Sequence, residues 1–396
     1  MAAAVLPVRH VPVCRPLLPS ARQLHALLTQ IDHNRWYTNY GPLVQRFEAE
    51  LAELFGVPGD GVITCANGTM ALVQALLACL SAEQLRGEAY CITPAWSFVA
   101  TPAAITHAGL RPYFADVSLD SWALDPAATE RLIADLRAQG KEVVAVMPVA
   151  PFGAPLDMPA WEAVRTRSKV AVVIDAAAGF DSLCRPDAPP AQRVGQIPVI
   201  VSLHATKAFG IGEGALILTQ DSSLNQRLRA YGNFGFHGSR VARLPGINNK
   251  MSELHAAVGL AQLQKWPATR QAWQQLNERF RHQSRRCGPW LCEIPTMAPD
   301  WISSYGLIRF TDPAVALDAL SSALATQGFE TRRWWAEGCD RQPAYAACEH
   351  SALDNTRLLA STTLGLPFWL GLGERDMAAL FATLRRAATP GALRPV

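Results

Sequence analysis

The sequence of 396 residues lacks long apolar runs, blocks of like charge and paired cysteine motifs. No uninterrupted apolar segment approaches the ~18 residues that a membrane helix needs, so we predict no membrane span. The net charge is only +3 and no Lys/Arg-rich block occurs, which argues against nucleic acid as a partner. Internal repeats and low-complexity segments are also absent from the sequence.

The nine cysteines show no C-x-x-C pair and no spacing typical of a metal site or a disulfide framework. Their scattered positions and odd number indicate small buried side chains in a reducing compartment. The N-terminal segment MAAAVLPVRHVPVCRP is interrupted by Pro, Arg and His, unlike a signal peptide. We therefore expect a cytoplasmic protein without a metal site.

Short runs rich in Val, Ile and Ala alternate with helix-like stretches in the first half of the chain. Such continuous apolar runs are typical of strands buried on both faces of a parallel sheet. Repeated strand–helix units predict an α/β architecture, with a mostly parallel sheet flanked by helices. The predicted strands cover residues 62–66, 90–95, 111–117, 143–149, 169–176, 198–204 and 215–219.

The pattern changes after residue 250. Residues 251–286 have apolar positions at helical spacing and predict a long helix, in which Pro267 is a candidate break. The strand-like segment SSYGLIRF and the helix-like segment PAVALDALSSALATQG follow. We predict a large cofactor-binding domain over residues 1–265, including an N-terminal arm, and a smaller α+β domain over residues 266–396.

The residues that follow each predicted strand are the first candidates for a functional site, because ligands of α/β sheets collect at the carboxyl ends of the strands. Asn67, Gly68 and Thr69 follow the first strand and open a helix. Gly68 lets a ligand approach the backbone closely, and a helix N-terminus offers free N–H groups to a phosphate. An ordinary helix cap is the alternative for this segment.

Two charged residues follow later strands. Asp175 is either a turn residue or the partner of a buried cation such as a protonated ring nitrogen. Lys207, which follows Ser202 and His204, is either a solvated loop charge or an amine that forms a Schiff base. A phosphate cradle, an aromatic residue (Phe98), an acid and a lysine therefore occur in this order. A pyridoxal phosphate enzyme needs these four groups. The cradle anchors the phosphate, the aromatic residue stacks on the ring, the acid keeps the ring nitrogen protonated, and the lysine holds the aldehyde.

Longer segments resemble the DegT/DnrJ/EryC1/StrS family of sugar aminotransferases over roughly residues 33–370. YTNYGPLVQRFEAELAELFGV is similar to the family's opening segment, and CANGTMAL to its phosphate loop. TPAWSFVATPAAITHAGLRPYFADV, VVIDAAAGF and SLHATKAFGIGEGA follow in the family's order, and GINNKMSELHAAVGLAQL is closely similar. The resemblance implies pyridoxal 5′-phosphate (PLP) as cofactor and the aspartate-aminotransferase fold, known as PLP-dependent transferase fold type I.

The resemblance implies a role for each residue that matches the family pattern. Lys207 would be the Schiff-base lysine and the catalytic acid and base, while Asp175 would pair with the pyridine nitrogen. Phe98 would stack on the ring of the cofactor. The residues implied to hold the phosphate are Gly68, Thr69 and Ser202.

Further matches concern a second subunit and the substrate. Asn248 matches an asparagine that reaches the cofactor phosphate of the neighbouring subunit, which implies a homodimer with shared active sites. Arginines bind diphosphates or carboxylates, and tryptophans stack on a base or a sugar. The alternatives are a structural role for His204 and an exposed charged turn at residues 332–334. The candidate substrate residues are His204, Arg332, Arg333 and Trp334.

The sequence departs from the family pattern at several polar positions. Ala178 replaces the Gln or His expected three residues after the acid, Ala150 replaces a histidine, and Ala154 replaces a frequent glutamine. Lys250 stands where the family has arginine, and Ala215 where it has glycine. These changes leave the implied cofactor chemistry intact but weaken the implication of a nucleotide-sugar substrate.

We predict an aminotransferase that transfers an amino group from an amino acid, with L-glutamate as the expected donor, to a nucleotide-linked keto sugar. The products would serve surface polysaccharides or secondary metabolites. The alternative keeps the cofactor but acts on a non-sugar ketone or amino acid in natural-product assembly, supported only by the three alanines. Lys207 argues against the dehydratase branch, which has histidine there. Intact Lys207, Asp175 and Asn248 argue against a non-catalytic relative.

Overall fold

The computed structural model describes residues 10–85, 87–185 and 188–387. Its central strands fall into two four-stranded groups, in the orders β3-β2-β4-β5 and β6-β7-β8-β1. These strands are β1 Val62–Cys65, β2 Tyr90–Pro94, β3 Arg111–Ala115, β4 Val143–Val146, β5 Ala171–Val172, β6 Ile174–Asp175, β7 Val199–Ser202 and β8 Ala215–Leu218.

The two groups of strands join into one sheet at residues 171–175. β5 pairs with β4 and β6 pairs with β7, while Val173 donates a backbone hydrogen bond to Val146 and Asp175 bridges Val149. β8 is antiparallel to both of its neighbours, β7 and β1, and the other strand pairs of this sheet are parallel. The predicted mostly parallel sheet is therefore confirmed.

The strands of this sheet are buried on both faces. In β7, Val199 and Val201 belong to one apolar core and Ile200 to another. In β8, Leu216 and Ile217 divide between the same two cores. Successive side chains of a strand point to opposite faces, and helices cover both faces here. This explains why the strands appear in the sequence as continuous apolar runs.

Helices flank the sheet and connect its strands. α3 packs against α4 and α9, and α2 packs against the long helix that begins at Glu253. The helices before the C-terminal part are α1 Ala21–Asn34, α2 Pro42–Phe55, α3 Gly68–Cys79, α4 Ala100–His107, α5 Pro126–Ala138, α6 Met158–Ser168, α7 Phe180–Leu183, α8 Pro190–Arg193 and α9 Ser222–Gly232, with a 3-10 turn at Pro151–Gly153.

One long helix, α10 Glu253–Arg285, leads from the large sheet into the C-terminal part of the chain. The predicted candidate break at Pro267 does not occur, since the helix continues through it. Proline removes one hydrogen bond of the helix, but the buried Trp266 and Trp273 on either side hold the helix against the core.

The C-terminal part contains a small antiparallel sheet with the strand order β11-β10-β9. Its helices α11 and α13 pack against each other, and α13 also contacts α10. The elements are β9 Leu291–Cys292, β10 Gly306–Phe310, α11 Leu317–Thr326, α12 Asp354–Thr362, β11 Thr363–Leu366 and α13 Glu374–Ala387, with 3-10 turns at Cys339–Arg341 and Pro343–Tyr345.

The N-terminal segment packs against this C-terminal part. Val11 bridges Phe329, and the backbone of Val13 exchanges hydrogen bonds with Glu330 and Phe368. The predicted domain division at residue 265 falls inside α10 and stays a prediction. Among the described residues, no helix is long and apolar enough to cross a bilayer.

Candidate active site

Gly68 begins the helix that follows β1, and it lies beside Ser202 at the end of β7. α3 begins at Gly68, and the side chain of Asn67 caps it by accepting a hydrogen bond of 2.9 Å from the N–H of Met70. A Cβ atom built on Gly68 would lie 3.3 Å from the Cβ of Ser202. Thr69 is the second residue of the helix. The cap and the phosphate cradle are compatible, because other N–H groups of the first turn have no partner within the helix.

Asp175, at the end of β6, is held at both carboxylate oxygens. The residue is only 5% exposed. Its Oδ2 accepts a hydrogen bond of 2.7 Å from the hydroxyl of Thr101, and its Oδ1 accepts one of 3.1 Å from the N–H of Ala177. The hydroxyls of Ser97 and Thr101 lie 2.8 Å apart. The carboxylate therefore has one fixed orientation at the carboxyl end of the sheet.

The environment of Asp175 suits a cationic partner. Burial raises the pKa of its carboxyl group, while the hydrogen bonds from Thr101 and Ala177 and the charge of Lys207 act in the opposite direction. A buried carboxylate is expensive without a neighbouring positive charge. The charge of Lys207 is the weakest of the influences that lower the pKa of Asp175. The carboxylate can therefore accept a second cation, such as a protonated ring nitrogen.

Lys207 lies in the turn between β7 and β8, and its amine has a partner from the C-terminal part of the chain. Its Nζ donates a hydrogen bond of 2.7 Å to the hydroxyl of Tyr305. Tyr305 in turn contacts the ring of Phe152 at 5.3 Å between centroids. Lys207 is half-buried rather than solvated. Gly68, Asp175, Ser202 and Lys207 together are called the Lys207 cluster below.

Phe98 lies at the carboxyl end of β2, in the segment that holds Asp175. It follows Ser97 directly, and it is 58% exposed. Such exposure of a large aromatic side chain leaves its ring free to contact a ligand. Stacking of Phe98 on the cofactor ring stays a prediction. Ala178, the residue that replaces a polar group, is half-buried.

His204 is held within its own turn. Its Nδ1 lies 2.9 Å from the hydroxyl of Thr206 and accepts a hydrogen bond of 3.3 Å from the N–H of Thr206. Its Nε2 lies 3.8 Å from a carboxylate oxygen of Glu213. Both ring nitrogens therefore have neighbours in the same turn, which favours a structural role. A role for His204 in substrate binding stays a prediction.

Asn248 lies on the surface, apart from the Lys207 cluster of its own chain. It is exposed, and its side-chain oxygen accepts a hydrogen bond of 2.7 Å from the amine of Lys250. That amine also lies 4.3 Å from the ring centroid of Phe234. None of the described contacts of Asn248 reaches the Lys207 cluster. An exposed position agrees with the predicted role of Asn248 towards a second subunit, which stays a prediction.

Two of the candidate substrate residues lie close to Tyr305. Trp334 contacts the ring of Tyr305 edge-on, with 5.0 Å between the centroids. The guanidinium of Arg332 lies 5.1 Å from the ring of Trp334 and donates a hydrogen bond of 2.9 Å to Glu330. Arg332 and Trp334 are thus connected to Lys207 through ring contacts rather than by direct hydrogen bonds.

Arg333 is engaged elsewhere in the structure. Its guanidinium donates hydrogen bonds to the carboxylate of Glu337 and, at 2.8 Å, to the backbone carbonyl of Ala360. Through these contacts, Arg333 joins the turn at residues 332–337 to α12. Contact between Arg333 and a substrate stays a prediction.

The alanines that weakened the nucleotide-sugar implication are not all at the site. Ala150 and Ala154 are buried and line a cavity of about 100 Å³ whose wall also includes Ile174 and Val199. Lys207 is not among the residues that line this cavity. Ala150 nevertheless adjoins the Lys207 cluster, because its backbone N–H donates a hydrogen bond of 2.9 Å to the carbonyl of Asp175. Ala178 follows Asp175 by three residues in the chain.

A family model, that of the DegT/DnrJ/EryC1/StrS aminotransferase family, matches residues 20–385 of the chain. The chain belongs to this family. The predicted family is therefore confirmed over nearly the whole described length. Protein Rv3402c of Mycobacterium tuberculosis is 32% identical over 255 residues, which cover 64% of this chain. The match spans only 60% of the length of that mycobacterial protein.

Other proteins match this chain over nearly their full length. The dTDP-4-amino-4,6-dideoxy-D-glucose transaminase of Shigella dysenteriae is 29% identical over 94% of this chain and 98% of its own. A candidate PLP-dependent aminotransferase of Bacillus cereus has a crystal structure with a TM-score of 0.85 and 29% identity, covering 95% of this chain and all of the other. The predicted fold type I is therefore confirmed.

A second crystal structure, of the protein DesI in the presence of its TDP-sugar product, gives a TM-score of 0.82 at 27% identity. It covers 98% of this chain and 95% of DesI. The prediction of a PLP-dependent aminotransferase is confirmed at the level of family and fold. PLP is the cofactor of this DegT/DnrJ/EryC1/StrS family member.

The Lys207 cluster fits PLP. A side chain at position 68 would press against Ser202, so the glycine leaves space where a phosphate meets a helix N-terminus. The buried Asp175 suits a cationic ring nitrogen. The amine of Lys207 can reach an aldehyde from the turn after β7, since a lysine side chain is long and flexible.

Three residues of this DegT/DnrJ/EryC1/StrS site were missed by sequence reasoning. Ser97 and Thr101 lie within a segment that resembles the family, and two hydroxyls four residues apart after a strand end are a usable signal. Tyr305 was assigned only to a strand-like segment. Nothing in its sequence neighbourhood pointed to Lys207, which is 98 residues away.

Proposed function

We propose that the protein is a PLP-dependent aminotransferase that transfers an amino group from an amino acid, L-glutamate in particular, to a nucleotide-linked keto sugar. The observation that carries this proposal is the convergence of Lys207, Asp175 and the Gly68–Ser202 contact at one end of the sheet. Support for the sugar comes from the names of relatives: a dTDP-amino-sugar transaminase and a protein crystallised with its TDP-sugar product.

The binding residues have separate tasks in this proposal. The N-terminal turn of α3, with Gly68 and Thr69, and the hydroxyl of Ser202 hold the phosphate. Asp175 pairs with the ring nitrogen and keeps it protonated, and the hydroxyl of Thr101 keeps the carboxylate in place. Bound PLP supplies an electron sink for the bond that is broken at the donor carbon.

The reacting residue in this proposal is Lys207. Its amine would hold the aldehyde of PLP and, when free, would accept the proton of the donor carbon and return it. Tyr305 orients this amine through the hydrogen bond of 2.7 Å. The rings of Phe152 and Trp334 fix the position of Tyr305. Phe98 offers an exposed aromatic face to the cofactor ring.

Substrate contacts and assembly also belong to the proposal. Arg332 and Trp334 border the site beside Tyr305, where a cation and a ring suit a diphosphate or a sugar. Asn248 reaches the cofactor phosphate of a second subunit in a homodimer. Exposed apolar side chains such as Phe234 and Leu254 agree with a buried subunit interface. We place the enzyme in the cytoplasm, in surface-polysaccharide or secondary-metabolite synthesis.

A non-sugar ketone as the acceptor is the second candidate. Its support is Ala178, close to Asp175 in the chain, where a polar residue would otherwise face the site. It is weakened because Ala150 and Ala154 line a cavity that Lys207 does not line, although the backbone of Ala150 bonds to Asp175. We therefore retain the nucleotide-linked sugar as the favoured acceptor.

A reverse-direction screen tests the proposal. Purified enzyme with PLP is incubated with nucleotide amino sugars and 2-oxoglutarate, and formation of glutamate is measured. We expect glutamate with at least one nucleotide amino sugar, and none with Lys207→Ala enzyme, whereas Lys169→Ala remains active. Turnover of simple amines without any nucleotide amino sugar would favour the second candidate. Covalent attachment of PLP to Lys207→Ala protein after borohydride reduction would contradict the assignment of the lysine.

A further inference from the structure

The short helix α7 carries a buried acid that lies outside the Lys207 cluster. Asp181 is the second residue of this helix, and it is only 1% exposed. Burying a carboxyl group costs free energy unless hydrogen bonds or an opposite charge compensate for it. The partners of Asp181 come from two other parts of the chain, so they show which segments α7 holds together.

The carboxylate of Asp181 binds one side chain and one backbone group. Its Oδ1 accepts a hydrogen bond of 2.6 Å from the Nε of Arg270 on α10, and its Oδ2 accepts one of 3.0 Å from the N–H of Ile302. Burial raises the pKa of Asp181, whereas the hydrogen bonds of Arg270 and Ile302 act in the opposite direction. Asp181 therefore ties the segment before β10 to both α7 and α10.

The segment that Asp181 holds leads directly to Tyr305. The hydroxyl of Ser303 donates a hydrogen bond of 3.1 Å to the carbonyl of Phe152 and accepts one of 3.1 Å from the N–H of Tyr305. Ile302 and Ser303 are at most 1% exposed. Because both residues are buried and bonded, the backbone of Tyr305 has a fixed position relative to α7.

The same helix also holds the turn that carries Lys207. The ring of Phe180, the first residue of α7, stacks on the ring of Phe209 with 4.1 Å between the centroids. Phe209 follows Lys207 by two residues in the chain. Trp266 of α10 contacts both rings edge-on, at 5.0 and 5.5 Å. Ring packing therefore fixes the turn after β7 relative to α7.

We propose that Asp181 is a positioning residue for the reaction, which acts through Ile302 to keep the hydroxyl of Tyr305 within hydrogen-bond distance of the amine of Lys207. The inference rests on the proposed aminotransferase function. α7 holds the turn after β7 through Phe180 and the segment before β10 through Asp181. None of the described hydrogen bonds of Asp181 reaches the amine or the hydroxyl. Its influence on them therefore passes through the backbone.

A double-mutant cycle with Tyr305→Phe tests this role. Asp181→Leu removes the acceptor of the Ile302 N–H with a side chain of similar size, and we expect kcat to fall about fivefold. In the Tyr305→Phe enzyme the same change should have little further effect, because the hydrogen bond to Lys207 is already absent. Damage that does not involve Tyr305 would multiply the two effects. Multiplied effects overturn the proposal.

Attachment of PLP to the cofactor-free protein reports on the same amine without turnover. Its rate is followed by the visible absorption of the bound cofactor. We expect the rate to fall about fivefold in Asp181→Leu and in Tyr305→Phe, and no further in the double variant. Wild-type rates of attachment and turnover in Asp181→Leu would overturn the proposal.

Glu162→Leu is the matched control. Glu162 accepts hydrogen bonds from Arg165 and from the N–H groups of Gln196 and Ile197, the same kinds of partner that Asp181 has. These partners lie before β7, at the end of the strand opposite Ser202. Glu162→Leu should lower the thermal stability but leave kcat and PLP attachment unchanged.

Asp181→Asn serves if Asp181→Leu does not fold. Its single side-chain oxygen can accept from Arg270 or from Ile302 but not from both, so we expect a smaller slowing that is again absent in the Tyr305→Phe enzyme. Wild-type rates in Asp181→Asn would then overturn the proposal.

Failure of the proposed function is visible in the wild type alone. If L-glutamate does not change the visible absorption of the wild-type enzyme loaded with PLP, the proposed aminotransferase function fails. If the wild type reacts with L-glutamate but the effects of Asp181→Leu and Tyr305→Phe multiply, only the role of Asp181 fails.

Discussion

The amine of Lys207 and the hydroxyl of Tyr305 lie 2.7 Å apart, although 98 residues separate them in the chain. The lysine follows β7 of the large sheet, and the tyrosine immediately precedes β10 of the small sheet. This hydrogen bond links the cofactor-binding part to the C-terminal part at the reacting atom. Any shift between the two sheets would move the amine.

Tyr305→Phe should slow the enzyme with little loss of stability. The variant removes the acceptor of the Lys207 hydrogen bond but keeps the rings packed on Phe152 and Trp334. Loss of one such bond is worth about 1 kcal/mol, or about fivefold in kcat. Steady-state kinetics and thermal unfolding measure both effects. Tyr345→Phe is the matched control, and an unchanged kcat in Tyr305→Phe would show that the bond has no role in turnover.

Asp175→Asn should stabilise the cofactor-free protein at neutral pH while abolishing tight PLP binding. Burial raises the pKa of Asp175 in the folded state. The folded state thus binds the proton more tightly than the unfolded state, and this contribution to stability is lost as the pH rises through the folded pKa. An uncharged amide avoids that loss. It can still hydrogen-bond to both partners, because its oxygen accepts from the N–H of Ala177 and the hydroxyl of Thr101 can donate or accept.

Thermal unfolding of the cofactor-free protein from pH 4 to pH 8 measures this effect. The gain of Asp175→Asn over wild type should be small near the usual Asp pKa of about 4 and should grow towards pH 8. A pH-independent difference would mean that Asp175 is not the titrating group. Asp120→Asn, at an exposed position, serves as the control.

Gly68→Ala should weaken PLP binding without unfolding the protein. The added Cβ would lie 3.3 Å from the Cβ of Ser202, a tight contact inside the phosphate cradle. Alanine also favours a helix over glycine by up to about 1 kcal/mol, which offsets part of that strain. We expect an affinity about tenfold lower by equilibrium dialysis with PLP. Gly59→Ala, where nothing lies within 4 Å of the new Cβ, should bind PLP normally.

Mixed dimers test the predicted role of Asn248. When Lys207→Ala and Asn248→Ala subunits combine at random, half of the dimers contain one site with both native residues, so activity should recover to roughly a quarter of the wild-type value. Each variant alone should be nearly inactive. Sedimentation first establishes the dimer. No recovery in a verified mixed dimer would place both residues at the site of one subunit.

The positions of Gly68, Asp175, Ser202 and Lys207 at one end of the sheet could be predicted from sequence. Buried parallel strands are continuous runs of Val, Ile and Ala, and the residues after parallel strands meet at one edge. Four local signals therefore imply a common site before any side-chain contact is known. The family segments added the implied roles, but the geometry followed from the order of the strands.

The contacts that tune the site depended on the tertiary structure. The bond from Lys207 to Tyr305 and the bond from Arg333 to the backbone carbonyl of Ala360 join segments that show no shared pattern. Tertiary packing also explains why α10 continues through Pro267, since burial of the neighbouring tryptophans outweighs one lost hydrogen bond. Sequence alone determined the sheet and its strand-end residues because periodic burial is a local property. Only packing between distant segments decided which partner each of these residues has.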